Sequence, residues 1–193
     1  MRVRHGSKWI MKPGTVIRKF TATDGREVVL RTPTWSDLDD LLDFINSLVE
    51  ERADILMDEK VSREDESDWL SKALARLEKD ETFYLVAEVN GKVVGNSEVS
   101  RKTKGYDRHA GTIGIAIRHG YRDLGIGTEM IKALIERARA MDLKVLMLSA
   151  FASNERARHV YQEAGFAETG RIPKKFLKEG EYIDEILMVK VLE

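Results

Sequence analysis

A strand, a glycine-containing turn and a helix start follow one another between Thr112 and Thr128, in the run TIGIAIRHGYRDLGIGT. Thr112 to Ile117 is β-prone. Arg118-His119-Gly120-Tyr121 is a polar turn, and Arg122-Asp123-Leu124-Gly125-Ile126-Gly127 leads into a helical pattern. The chemistry that this order supports is anion binding. The first N–H groups of a helix have no intrahelical acceptor, and the helix dipole places partial positive charge on them. Gly125 and Gly127 carry no Cβ, so a phosphate can approach the backbone closely there. The run therefore predicts a pyrophosphate cradle of the form R-x-x-G-x-G. It is neither of two other phosphate motifs. A GxxxxGK[ST] run is absent, and Met130 stands where a GxGxxG fingerprint needs its third glycine. Taken alone, it could also be an ordinary strand-to-helix turn, so its surroundings have to decide.

Composition removes other chemistries. The 193 residues contain no cysteine, which excludes disulfides, thiolate metal sites and a cysteine nucleophile. The four histidines show no H-x-x-x-H spacing, so no metal site is expected. A formal net charge of -1 gives no general attraction to nucleic acid. No apolar run approaches ~18 residues, so no membrane span is expected. The basic residues Arg2, Arg4, Lys8 and Lys12 surround only a Trp9-Ile10-Met11 triplet, which is no signal-peptide core. The default expectation is a cytoplasmic protein with one domain large enough for a sizeable core.

The elements that must position the cradle read as follows. Residues 1–25 form a basic, irregular extension with turn signals at Pro13-Gly14 and Asp24-Gly25 and an optional strand, Val16 to Thr21. Residues 26–193 form the domain. Glu27 to Arg31 is a strand, and Thr34 or Ser36 caps the helix that follows it. Leu38, Leu41, Leu42, Ile45, Leu48 and Val49 make one apolar stripe of that helix. A second helix from about Ser62 buries Trp69, Leu70, Ala73, Leu74 and Leu77, after a charged segment over 52–61 that is either a mobile loop near a substrate entrance or a plain helix–helix connection. Phe83–Val89 and Lys92–Ser100 form a hairpin around Asn90-Gly91, because a type I′ turn needs positive φ at both positions. His109–Ile117 is the next strand. The helix after Gly127 buries Met130, Ile131, Leu134, Ile135 and Ala138. Lys144–Ala150 reads as a strand buried on both faces, parallel to its predecessor through a βαβ crossover. A helix from Ser153 or Asn154 ends at Gly165. Phe166–Arg171 is a strand, Pro173–Gly180 a lysine-rich loop, and Tyr182–Leu192 the last strand. The order β-α-α-β-β-β-α-β-α-β-β implies an α/β (α+β) domain, one mixed and mostly antiparallel sheet flanked by helices.

This order, with R-x-x-G-x-G opening the third main helix, resembles the GNAT superfamily of acetyl-CoA-dependent N-acyltransferases. A second segment adds to the resemblance. Asn154-Glu155-Arg156-Ala157-Arg158-His159-Val160-Tyr161-Gln162-Glu163-Ala164-Gly165-Phe166 is similar to the family's N-x-x-A-x-x-x-Y-x-x-x-G-F helix. The likeness spans about residues 26–192, and the spacing is most similar to ribosomal-protein N-terminal acetyltransferases. It implies a splayed sheet, in which the strand of Ile115, Ala116 and Ile117 diverges from that of Leu148-Ser149-Ala150. Acetyl-CoA would lie in the gap, with its pantetheine arm on Ile115, Ala116 and Ile117. Its pyrophosphate would meet Arg122, Asp123, Leu124, Gly125, Ile126, Gly127 and Thr128. Asn154 and Ala157 would also contact it.

The resemblance implies a transfer of acetyl to a primary amine. The amine must lose a proton, the oxyanion needs N–H donors, and the leaving thiolate needs a proton. Tyr161 is the expected general acid, since a phenol of pKa ~10 can donate at neutral pH; its alternative role is packing. The base departs from the family patterns. Where relatives of the ribosomal type carry Glu, this chain has Ser149; where those of the histone type carry Glu, it has Gly111. Glu98 is the tentative base, His109 the other substitute, since a free imidazole titrates at ~6.5, and deprotonation through a water chain is the third route. A non-catalytic acyl-CoA-binding module on the same fold is the alternative function. The acceptor is open among a protein N-terminus, a lysine, an amino acid, a polyamine or another small amine, and a homodimer is compatible. Asp54, Asp58, Glu59, Asp184 and Glu185 are acids that could attract a cationic amine.

Overall fold

A computed structural model of the chain describes residues 11–192. The first ten residues of the expected N-terminal extension lie outside the described residues. Eight strands form one sheet in the order β1-β2-β3-β4-β5-β6-β8-β7. They are β1 (Val16–Thr21), β2 (Glu27–Arg31), β3 (Thr82–Val89), β4 (Lys92–Arg101), β5 (Ala110–Ile117), β6 (Val145–Phe151), β7 (Ala167–Lys178) and β8 (Glu181–Val191). The helices are α1 (Leu38–Glu50), α2 (Arg63–Glu78), α3 (Ile126–Ala140) and α4 (Glu155–Glu163). Every adjacent pair is antiparallel except β5–β6, which the α3 crossover makes parallel. The optional strand Val16–Thr21 does form, as the edge strand of the sheet. Its Arg18 bonds Glu129 at 2.6 Å and Glu136 at 2.8 Å on α3. Asn90 and Gly91 both have positive φ, 51° and 75°, as the β3–β4 hairpin turn requires.

The two faces of the sheet are covered unequally. Val86 and Val93 point to α1 and α2, where they meet Leu41, Leu70 and Leu74. Ala87 and Gly95 are cross-strand partners on the other face. A Cβ at Gly95 would stand 3.1 Å from Met130 Sδ of α3. Alternation then places Gly111 and Ile113 of β5 on the α3 face, and Thr112 and Gly114 on the α1/α2 face. α1 and α2 pack chiefly on β4 and β3, and Thr112 and Gly114 are exposed.

Four expectations change accordingly. In β6, Leu146, Leu148 and Ala150 are buried in the main core, whereas on the other face Ser149 is exposed, Met147 is 40% exposed and burial returns only at Phe151, which stacks on Phe176. Phe44 fills the centre of the α1 stripe, while Leu42, Ile45 and Val49 are half-buried. Trp69 is half-buried and edge-on to Tyr84, with ring centroids 5.6 Å apart. The lysine-rich loop is part of β7, where the ladder breaks between Ile172 and Phe176 and then resumes. Lys174 takes φ 55° there, and its N–H donates to Asp184 at 2.8 Å. Among the described residues no helix is long and apolar enough to cross a membrane, and no group of acidic or histidine side chains could hold a metal.

Candidate active site

The parallel ladder between β5 and β6 lasts three residues. Ala110, Gly111 and Thr112 pair with Val145, Leu146 and Met147, and there the pairing stops. Beyond it, β5 remains paired only with β4, and β6 only with β8. The splay expected from the resemblance is therefore present. Two clefts open on it. The first, of about 550 Å³, includes Ile115, Ala116, Ile117, Arg122, Asp123, Gly125, Gly127, Thr128, Asn154, Ala157 and Tyr161 in its wall. The second, of about 590 Å³, lies on the face that α1 and α2 leave uncovered. Ile115, Ala116, Asn154, Ala157 and Tyr161 line both, so the clefts meet at Tyr161.

The residues expected to form the cradle stand at the start of α3. Gly125 is the N-cap, with φ 81°, a left-handed conformation that glycine adopts without a Cβ penalty. The first helical bond runs from Glu129 N–H to Gly125 C=O at 3.1 Å. The N–H groups of Ile126, Gly127 and Thr128 thus precede the helical ladder and are free to donate outward. A Cβ at Gly125 would meet nothing within 4 Å, whereas one at Gly127 would stand 3.2 Å from Ile117 Cδ1. The side chains of Leu124 and Ile126 pack on the core, so these two residues can offer only backbone to the cleft. Arg122 donates from Nε to the Ile117 carbonyl at 2.8 Å and pairs with Glu51 at the end of α1. Arg156 and Lys178 add two cations to the same cleft.

Asn154 caps α4, its Oδ1 accepting from Ala157 N–H at 3.1 Å. Tyr161 lies two turns further on, 7% exposed, edge-on to Phe166 with ring centroids 6.2 Å apart. Burial pushes its phenol up to about 12, so it stays protonated and keeps a proton to donate.

Glu98 stands on β4 directly across from Gly114, half-buried at the second cleft. The missing side chain at Gly114 leaves room for it: a Cβ there would be 3.9 Å from Glu98 Cγ. Burial raises the Glu98 carboxyl above the ordinary glutamate value of 4.5, against the pull of Arg76 and a hydrogen bond from Tyr84. Ser149 lines the same cleft. Gly111 does not, because it faces α3, where a Cβ would lie 2.6 Å from Leu143 Cδ1 and 3.1 Å from the Ser100 carbonyl. His109 is exposed at the closed end of β5, where its carbonyl accepts from Lys144 N–H at 2.7 Å, and it lines neither cleft. Asp58, Glu59, Asp184 and Glu185 line neither cleft either, whereas Asp54 lines both.

Several lining residues stand outside the two motifs. The connection between α1 and α2 crosses the site, with Ile55 in both clefts and Leu56 and Met57 in the second. It is tied to the β7–β8 hairpin through Arg52–Glu179 and through Lys178–Asp54 at 2.5 Å. Trp69 and Phe176 line the second cleft. Trp69 falls at helical spacing, which reads as core. Arg156 lies inside the N-x-x-A run and could have been noticed there.

The comparisons with known proteins bear on the family and the fold. The family model described as Acetyltransferase (GNAT) family matches residues 45–166. An L-methionine sulfoximine/L-methionine sulfone acetyltransferase of Pseudomonas paraeruginosa is 24% identical over 155 residues, covering 79% of this chain and 88% of that protein. The crystal structure of a ribosomal-protein-alanine N-acetyltransferase from Brucella melitensis superposes with a TM-score of 0.75 at 30% identity, covering 84% of this chain and 99% of that one. A phosphinothricin acetyltransferase from Sinorhizobium meliloti, solved in complex with acetyl-CoA, has the same fold, with a TM-score of 0.74 at 18% identity over 90% of this chain and 89% of that one. The chain belongs to the acetyltransferase (GNAT) family and is an acetyl-CoA-dependent N-acetyltransferase.

Proposed function

We propose that the chain transfers the acetyl group of acetyl-CoA directly to a primary amine where its two clefts meet. The observation that carries this reading is the end of the β5–β6 ladder at Thr112, which joins a cleft with a helix N-terminus in its wall to one with the half-buried Glu98 carboxylate. The α3 N-terminus, with Arg122, Asp123, Leu124, Gly125, Ile126, Gly127 and Thr128, would receive the pyrophosphate on backbone N–H groups. Ile115, Ala116 and Ile117 would bond the pantetheine arm through backbone groups that have no strand partner in β6, and a β5 N–H would support the oxyanion. Asn154 has its Oδ1 committed to the α4 cap, which leaves its Nδ2 for the pantetheine, with Ala157 beside it.

Glu98 would take the proton of the incoming ammonium. Burial raises its pKa and makes it a stronger base than an ordinary glutamate. The amine attacks the thioester carbonyl, the C–S bond breaks, and Tyr161 would give the thiolate its proton. The acceptor class includes small amines and protein N-termini. A thiol-release assay with acetyl-CoA and mixed amines tests the reading. Release above the hydrolysis background, coupled to loss of free amine, is the expected result. Tight acetyl-CoA binding without release for any amine would favour a binding module instead.

A further inference from the structure

The second cleft has a charge pattern that bears on the acceptor. Its wall holds four acids, Asp54, Asp65, Glu66 and Glu98, and no lysine, arginine or histidine among the described residues. Two of the acids are occupied. Asp54 pairs with Lys178 at 2.5 Å, and Asp65 accepts from Ser62 Oγ at 2.6 Å within the α2 cap. Glu98 has the task described above. Glu66 is left over. It is only 7% exposed, yet among the described residues its carboxylate has no hydrogen bond and no ion pair. An acid in the first turn of α2 is favoured by the helix dipole at a solvated position, but that does not account for burying one without a partner, which carries a desolvation cost. Burial alone raises its pKa. Trp69, one turn along α2 from Glu66, lines the same cleft with Phe44, Phe176 and Ile55 and offers an apolar wall for a methylene chain.

We propose that the acceptor is a diamine or polyamine, with a second ammonium that pairs with Glu66 and no carboxylate beside the attacked nitrogen. This rests on the acetyl-transfer reading and narrows it. A free amino acid would bring an α-carboxylate into a cleft that has no lining cation among the described residues to receive it and two acids, Glu66 and Glu98, to repel it. The Pseudomonas relative is named for L-methionine derivatives, which carry such a carboxylate; the difference would lie in this wall. The chemistry balances without a further reactant. One ammonium loses a proton to Glu98, the N–C bond forms as the C–S bond breaks, the second proton of the attacking nitrogen leaves as the amide forms, and the thiolate is protonated. The products are the mono-acetylated diamine and free CoA. The second ammonium is not consumed and acts as the handle.

The test measures thiol release from acetyl-CoA by the full chain with a four-carbon α,ω-diamine, with butylamine and with L-methionine. The diamine should exceed both others in kcat/KM by about tenfold or more, the size of one partly buried charge pair. In Glu66→Gln the ratio of diamine to butylamine kcat/KM should fall by about tenfold. Because the ratio is taken within one variant, a partial loss of folded protein does not affect it. L-methionine as the best substrate, or an unchanged ratio in Glu66→Gln, would overturn the proposal while leaving the acetyl-transfer reading intact. No release with any of the amines, despite acetyl-CoA binding, would overturn both.

Discussion

β5 behaves differently at its two ends. At the Ala110 end it is paired on both sides, with β4 through Arg101 and with β6 through Val145. Gly111 is closed in by Leu143, Leu146 and the Ser100 carbonyl. Nearby, Asp80 accepts from Arg101 at 2.9 Å and from Arg137, tying β4 to α3. At the Ile117 end the β6 partner is gone, and Ile115, Ala116 and Ile117 are only half-buried. The same strand is thus part of a closed core at one end and the wall of two clefts at the other. The difference teaches where a binding site can be put in a sheet at little cost. Backbone groups can be left unpaired for a ligand only where a neighbouring segment of the same strand is over-determined by its packing.

Substitutions at the two ends should separate cleanly. Tyr161→Phe should have the largest effect. It removes one oxygen and keeps the edge contact to Phe166, so Tm should hold while kcat falls by ~10²-fold. Acetyl-CoA affinity from calorimetry should change little. A variant that keeps more than about half of kcat, with chemistry as the slow step, would assign Tyr161 to packing. Because burial holds this phenol at about 12, no basic limb of the wild-type profile at ordinary pH belongs to it.

Glu98→Gln comes next, with a fall in kcat/KM of about tenfold to 10²-fold at neutral pH. The base is the deprotonated form, and burial raises its pKa above 4.5. Activity of the wild type should therefore drop as pH falls through a midpoint above that value, and the limb should vanish in Glu98→Gln. The stability effect has the opposite sense. The folded state holds this proton more tightly than the unfolded chain, so the group's contribution to stability declines as pH rises through the raised pKa. Glu98→Gln should not lower Tm at pH 7. His109→Gln, at the closed end, should leave the profile as it is; a shifted limb there would reassign the base.

Gly127→Asp sharpens the comparison within the open end. It brings a side chain against Ile117 Cδ1 and a negative charge to the cradle. Acetyl-CoA affinity should weaken by about tenfold or more, and unchanged affinity in a folded variant would move the cradle elsewhere. Gly111→Ala probes the closed end and has the smallest functional effect. Its methyl would lie 3.1 Å from the Ser100 carbonyl, a backbone atom that cannot swing away. Overpacking of about 1 kcal/mol should lower Tm by ~2–4 °C with kcat per folded molecule unchanged. A loss of kcat with Tm intact would mean that the two ends are coupled.

The sequence alone determined most of the elements and the lining of one of the two clefts. Local signals sufficed there: Asn90-Gly91 for the hairpin, the 3.6-residue stripe of Met130, Ile131 and Leu134 for α3, and Gly125 for a helix start that needs positive φ. The motif residues Asn154, Ala157 and Tyr161 fall on one face of α4 by helical spacing, so their place in one cleft with Gly125 and Gly127 was legible too. The second cleft was not, because it arises from what is missing. α1 and α2 pack chiefly on β4 and β3, which leaves Thr112, Gly114 and Ser149 bare, and no residue in β5 or β6 encodes where another helix ends. β6 read as buried on both faces because its run is apolar, and apolar residues do not report which of their faces has a cover. Trp69 and Glu66 fit a helix pattern equally well as core and cap. Only the packing of α2 beside an open sheet face turned the one into a cleft wall and left the other buried without a partner.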